Sequence, residues 1–197
     1  MHGIVLMELK KHVEQAYGAP TWTALLLAAD LQGRMYNAMG EYPDEEVLAI
    51  VAAAAKATGR PVEQVVEGFG RFLVPDLVET YRFLIQPGWD ALDLIENTEH
   101  TIHTVVRARD GATPPVLEVT RTGRDSLTIR YTSARRLCAL AKGIARGVGD
   151  LYGTPLEVHE SMCMNRGSTH CSMTVTRVGA MPAPRRSNDD LVRDRRW

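Results

Sequence analysis

Apolar residues recur at helical spacing through the first half of the chain, and they alternate with polar ones through much of the second. Residues 4–17 carry apolar positions on a helical repeat, and Gly18 ends the run. Thr21-Trp22 opens a second helix that the pattern carries to Leu31. The turn Tyr42-Pro43-Asp44 precedes a third, predicted over residues 45–57, and Gly59-Arg60-Pro61 breaks the pattern. Over residues 62–84 the stripe Val65, Val66, Phe69, Leu73 and Leu77 predicts a fourth helix, which Pro75 should kink or split. After Pro87-Gly88, Asp90 is a natural N-cap for a helix continuing to Arg109.

Beyond Asp110-Gly111 the period changes. Residues 116–121 and 126–131 alternate as strands around the turn Thr122-Gly123-Arg124-Asp125. Residues 135–151 return to helical spacing with several small side chains, and residues 156–162 and 170–177 read as two strands around a turn at Gly167. From Met181 onward Pro182, Pro184 and mixed charge predict a disordered tail. There is no internal repeat. The pattern therefore gives an α+β chain: a helical N-terminal subdomain, then a C-terminal four-stranded antiparallel sheet with packed helices. One domain is expected over residues 1–178, followed by the tail at 179–197.

Composition narrows the function classes. A net charge of −1 over 197 residues offers no electrostatic case for a nucleic-acid partner. No apolar run reaches membrane-spanning length, and the opening residues lack a signal-peptide layout, so the expected location is cytoplasmic. Three cysteines are an odd count, which favours free thiols or metal ligands over a disulfide framework.

Three sets of residues could carry chemistry. His103 borders the stripe Leu92, Ile95, Ile102 and Val106; neutral imidazole is a haem-iron ligand, yet a histidine there also reads as a hydrogen-bonded core group. Tyr131, Ser133 and Arg135 share one side if the strand persists, and two hydroxyls with a guanidinium form a carboxylate site; by spacing alone, strand-end polar residues with a helix-capping Ser133 explain them better. Cys138, His159, Cys163 and Cys171 offer three thiolates and an imidazole, a donor set for tetrahedral zinc, though without a Cys-x-x-Cys they also read as unrelated reduced thiols.

Met1-His2-Gly3-Ile4-Val5, Tyr42-Pro43-Asp44, Ile102-His103, Pro114-Pro115 and Tyr131-x-Ser133-x-Arg135 occur in one order. That series resembles the haem nitric oxide/oxygen binding (H-NOX) family, which includes the haem domain of soluble guanylate cyclase, over residues 1 to about 178. The resemblance implies the H-NOX fold with haem b between helical part and sheet. It implies that His103 ligates the iron, that Tyr131, Ser133 and Arg135 bind the propionates, and that Pro115 distorts the porphyrin. His100, one turn earlier, is expected to be a surface or neighbouring residue. Val5, Leu9, Leu73 and Leu77 match distal wall positions.

Some oxygen-binding members carry a distal tyrosine where this chain has Leu140. An apolar pocket offers bound dioxygen no hydrogen bond, so the expectation is selective binding of nitric oxide, with carbon monoxide a weaker ligand. The expected signal is loss of the iron–His103 bond, read by a separate partner such as a histidine kinase, a diguanylate cyclase or a phosphodiesterase, and the chain is not expected to be an enzyme. A bacterial subset of the family also resembles the cysteine pattern, which implies structural zinc on Cys138, His159, Cys163 and Cys171, with His170 a rival ligand. The gap from His159 to Cys163 is one residue longer than that subset leads one to expect. The alternatives are a zinc/thiol redox sensor and an oxygen-binding haem protein.

Overall fold

The computed structural model describes residues 1, 3–110 and 113–179, so most of the tail expected from residue 179 lies outside the described residues. The chain forms two compact units, Met1–Phe69 and the portion from Gly70 onward.

The first unit holds α1 (Gly3–Tyr17), α2 (Ala19–Ala28), α3 (Asp44–Thr58) and the start of α4 (Val62–Thr80). Leu6, Leu9 and Val13 are buried on α1, Trp22, Leu25 and Leu26 on α2, and Val47, Ile50 and Val51 on α3. The second helix stops three residues short of the expected Leu31, where Asp30 takes a left-handed φ of 57°. A polar knot links the loop before α3 to its first turn. Arg34 donates to both carboxylate oxygens of Glu46, at 3.1 and 2.6 Å, and the Tyr36 hydroxyl donates at 2.8 Å. The ring of Tyr42 packs edge-on against Tyr36, which accounts for the Tyr-Pro-Asp turn.

The second unit is built on a four-stranded antiparallel sheet in the order β1-β2-β4-β3: β1 (Val116–Gly123), β2 (Ser126–Thr132), β3 (Leu156–Met162) and β4 (Cys171–Arg177). The period of two puts one set of side chains inward. Across the sheet these form the rows Leu117–Tyr131–Cys171, Val119–Ile129–Met173–Glu160 and Arg121–Leu127–Val175–Val158. Against this face pack α5 (Ala91–Asn97) and α7 (Cys138–Leu151), burying Leu92, Ile95, Ala145 and Val148. Asp90 caps α5 as expected, in a capping box with Asp93. Two arginines of the sheet hold α5 in place. Arg121 donates to Asp93 at 2.8 Å and to Glu96 at 2.6 Å, and the buried Arg177 donates to Asp90 at 2.7 Å.

Two sequence expectations change here. The fourth helix is not split: α4 runs through Pro75 in one piece, followed by a short 3-10 turn at Arg82–Leu84. Proline leaves the carbonyl four residues back without its helical donor. That carbonyl, on Arg71, faces α7, since a Cβ on Gly147 would stand 2.9 Å from it. The helix expected from Asp90 to Arg109 is not uniform either. After α5 the backbone widens over Glu99–His103, where the His103 amide bonds Thr98 O at 3.0 Å, and only then resumes as α6 (Thr104–Asp110). Thr98 and Thr101 turn their hydroxyls back onto the carbonyls of Leu94 and Asn97 at 2.7 Å each, a competition that loosens helices.

Two glycines on α4 should behave oppositely. A Cβ on the exposed Gly68 meets nothing within 4 Å, whereas one on Gly70 would stand 2.5 Å from Leu140 O and 3.1 Å from Gly143 Cα. Gly68→Ala is expected to raise stability by up to about 1 kcal/mol through helix propensity. Gly70→Ala should lower it by about 1–3 kcal/mol by forcing α7 outward. Chemical denaturation of the two variants checks this, and equal effects would refute the close approach.

In the first unit the Arg34 hydrogen bond, opposed by burial and helped by Tyr36, holds the Glu46 carboxyl below its ordinary value near 4.5. A group depressed on folding lends stability above its unfolded pKa and loses it as pH falls through the folded one. The stability advantage of wild type over Glu46→Gln should therefore shrink below about pH 4.5. Denaturation at a series of pH values measures it.

Candidate haem and thiol sites

His103 ends the widened turn, with its side chain 14% exposed. Its Nδ1 lies 2.9 Å from Glu99 Oε2, one turn earlier. Burial lowers the pKa of the imidazole, only partly countered by Glu99, so the ring is neutral near pH 7 and can donate an electron pair to a metal. With Nδ1 held by the carboxylate, Nε2 is the nitrogen for a ligand bond. His100, the other histidine of this segment, is exposed, as expected.

Glu99 does more than orient the ring. Its Oε2 also accepts from the amide of Leu117 on β1 at 3.0 Å, and its Oε1 pairs with Arg107 at 2.7 Å. Burial opposes ionisation of Glu99, but the bonds from Arg107, His103 and Leu117 outweigh it and hold the carboxyl below the usual range. Arg107 also donates to the carbonyl of Pro115 at 3.1 Å, and that carbonyl acts on the His103 ring as well. Pro115 therefore sits beside the imidazole. Sequence reasoning passed over Glu99 and Arg107, although both lie four residues from His103 on either side, the spacing that makes helical neighbours.

Tyr131, Ser133 and Arg135 are brought together at the end of β2. Tyr131 is buried. Burial pushes its hydroxyl up to about 12, with the Ser133 hydrogen bond and nearby Arg135 pulling the other way. The Arg135 amide donates to Ser133 Oγ at 3.3 Å, and its guanidinium donates to Thr113 O at 2.7 Å. The helix expected from Arg135 starts instead at Cys138, because Arg136 takes a left-handed φ of 50°. That residue frees the turn to carry the trio. A neutral buried imidazole and, on the same sheet end, a tyrosine, a serine and an arginine are groups that fit a haem and its two carboxylates.

The residues expected to line the distal wall are apolar and partly or fully covered. Val5 and Leu9 lie on α1 in the first unit. In the second, Leu73 and Leu77 are one turn apart on α4 and Leu140 is on α7, its carbonyl at the close approach to Gly70.

The thiol cluster differs from expectation in one member. Cys138, Cys163 and Cys171 are all buried and unbridged, and Cys171 Sγ lies 3.0 Å from Cys138 Sγ. His159 is not with them. It is exposed and pairs with Thr174, on the outer face of the sheet. The strand period decides this: Val158 points inward, so residue 159 must point outward and Glu160 inward. The potential ligand atoms of Glu160, Cys138, Cys163 and Cys171 all lie within 4.8 Å of one another. His170 is half-buried, with its Nδ1 3.1 Å from Thr169 Oγ1, and it is not one of the four. The signal that finds Glu160 is parity along residues 156–160, which the count of donor types obscured.

A model of the Haem-NO-binding (HNOB) family matches residues 2–160. Soluble guanylate cyclase 89Db of Drosophila melanogaster is 23% identical over 145 residues, which is 68% of this chain and 20% of that protein, so the chain spans about one fifth of that relative. Among solved structures, the H-NOX protein of S. oneidensis in its Fe(II)NO ligation state is similar at TM-score 0.82 and 24% identity, over 91% of this chain and 100% of that one. The NMR structure of the Shewanella oneidensis H-NOX domain in the Fe(II)CO state aligns at TM-score 0.81 and 25% identity, over 91% and 100%. The Fe(II) unliganded H-NOX protein of K. algicida aligns at 0.80 and 19%, over 93% and 100%.

Glu99 accepts from three groups, on the widened turn, α6 and β1, so Glu99→Ala should destabilise the protein by about 2–3 kcal/mol. It should also speed hydrogen exchange at the Leu117 amide. Unaltered exchange there would show that the strand is held by other means.

Proposed function

The chain belongs to the Haem-NO-binding family, and from that premise we propose that it is a haem-based nitric oxide sensor that signals to a separate partner protein. The observation that carries this reading is the largely buried His103, whose Nδ1 is fixed by Glu99 at 2.9 Å. When bound, haem b would supply an iron able to bind a diatomic gas. His103 Nε2 would hold the iron, Tyr131, Ser133 and Arg135 the propionates, and Pro115 would press on the ring edge. Leu73, Leu77 and Leu140 bring no hydrogen-bond donor. That favours nitric oxide over dioxygen, which needs a donor to stabilise the charge it draws, and leaves carbon monoxide a weaker ligand.

The output follows from what holds His103. Freed at Nε2, the imidazole stays tethered through Nδ1 to the carboxylate that also holds Leu117 of β1. A shift of the ring is therefore transmitted to the strand rather than lost in a loop. A two-state element of that kind suits a sensor that biases a partner. We assign that role to a histidine kinase or to a diguanylate cyclase or phosphodiesterase acting in the cytoplasm. No described helix is long and apolar enough to cross a membrane.

Titrating the ferrous haem-loaded protein with nitric oxide should abolish the His103-ligated absorption spectrum, while admitting air should give no stable complex. Reversible dioxygen binding would overturn the selectivity. His103→Gly should lose axial ligation and regain it with added imidazole. Arg135→Ala should release haem to a scavenger about tenfold faster or more, as expected when a bidentate carboxylate partner is removed; an unchanged rate would remove it from the propionate site.

A further inference from the structure

The inner face of the sheet ends, beside β3, in a cluster that the haem reading leaves unexplained. Three thiols meet there: Cys138 from the first turn of α7, Cys163 from the end of β3 and Cys171 from the start of β4. The segment between the last two is shaped as a tight knuckle. Arg166 N and Ser168 N both return to Cys163 O, at 3.0 and 3.2 Å, and Gly167 turns the chain with a φ of 92°. The Met164 amide points back at Cys171 Sγ at 3.2 Å, an arrangement that favours the charged sulfur of a ligand.

Glu160 is the odd member. Its side chain is only 6% exposed, on a face otherwise lined by Val158, Met173 and Val175. Its Oε2 faces two cations at 3.4 Å, Lys142 Nζ and Arg166 Nη1. Its Oε1 is buried with no hydrogen-bond partner among the described residues. A buried carboxylate oxygen left without a donor is costly, so its persistence needs a reason. The cysteine sulfurs lie within 4.8 Å and supply one if a cation sits among them.

We propose that Glu160, a carboxylate rather than an imidazole, is the fourth donor beside Cys138, Cys163 and Cys171 in the structural zinc site that the family resemblance implies. The charges balance. Three thiolates and a carboxylate carry four negative charges, the ion cancels two, and Lys142 and Arg166 cancel the others. Soft sulfur selects against magnesium and calcium, and four protein donors leave no open position, so the role is structural. The site ties α7 to β3 and β4. Through the pairing of Cys171 with Tyr131 it also fixes the strand end that carries Tyr131.

The test is elemental and spectroscopic, so it stands apart from gas binding: iron reports the haem and zinc this site. Full-length haem-loaded protein, purified under reducing conditions without added zinc, should contain close to one zinc per chain. X-ray absorption at the zinc edge should show three sulfurs at about 2.3 Å and one light atom at about 2.0–2.2 Å, without imidazole outer-shell scattering. Glu160→Gln should lose zinc to a chelator at least tenfold faster, and His159→Ala should match wild type. Should Glu160→Gln misfold, Glu160→His should retain zinc and gain the imidazole signature. Absence of zinc, imidazole scattering in wild type, or equal loss from the two single variants would each overturn the proposal.

Discussion

One carboxylate ties the segment around His103 to the sheet. Glu99 accepts from the imidazole of His103, the guanidinium of Arg107 and the amide of Leu117, and so joins two turns of helix to the first strand of the sheet. Such a group must stay ionised although half-buried, and its three donors achieve that. The consequence is mechanical as well as electrostatic. His103 cannot move while its Nδ1 bond persists without pulling on the acceptor that also serves β1. The position of the imidazole and the first strand are thereby linked by one side chain.

The remainder of the second unit keeps that linkage in place. Arg121 and Arg177 reach from the sheet to the acidic residues of α5, so the helix leading into the widened turn is anchored at both ends. On the other side α4 and α7 approach so closely at Gly70, Gly143 and Gly147 that backbone meets backbone. The row Leu117–Tyr131–Cys171 then crosses the sheet from the Glu99 contact, through the proposed propionate tyrosine, to the thiol cluster. The Glu99 contact and the thiol cluster therefore sit on three adjacent strands, and the stiffness of that row bears on both.

Much of the architecture was legible from periodicity. The third strand, Leu156–Met162, has the bounds that alternation assigned to it, and the other three agree to within two residues at either end. Departures occur where side chains act on backbone. Thr98 and Thr101 loosen the helix before His103, and a left-handed Arg136 delays α7 until Cys138. Neither effect is a matter of hydrophobic pattern, so neither shows in it.

The sequence by itself determined the α+β order and the family, and it singled out His103 and the Tyr131, Ser133 and Arg135 set as candidates, because period and ordered motifs are local properties of the chain. Only the tertiary structure decided which groups surround them. Glu99 becomes the hub because a strand eighteen residues away lays its amide against it. Glu160 rather than His159 joins the three thiols because a strand sends neighbouring side chains to opposite faces, and packing chose the face.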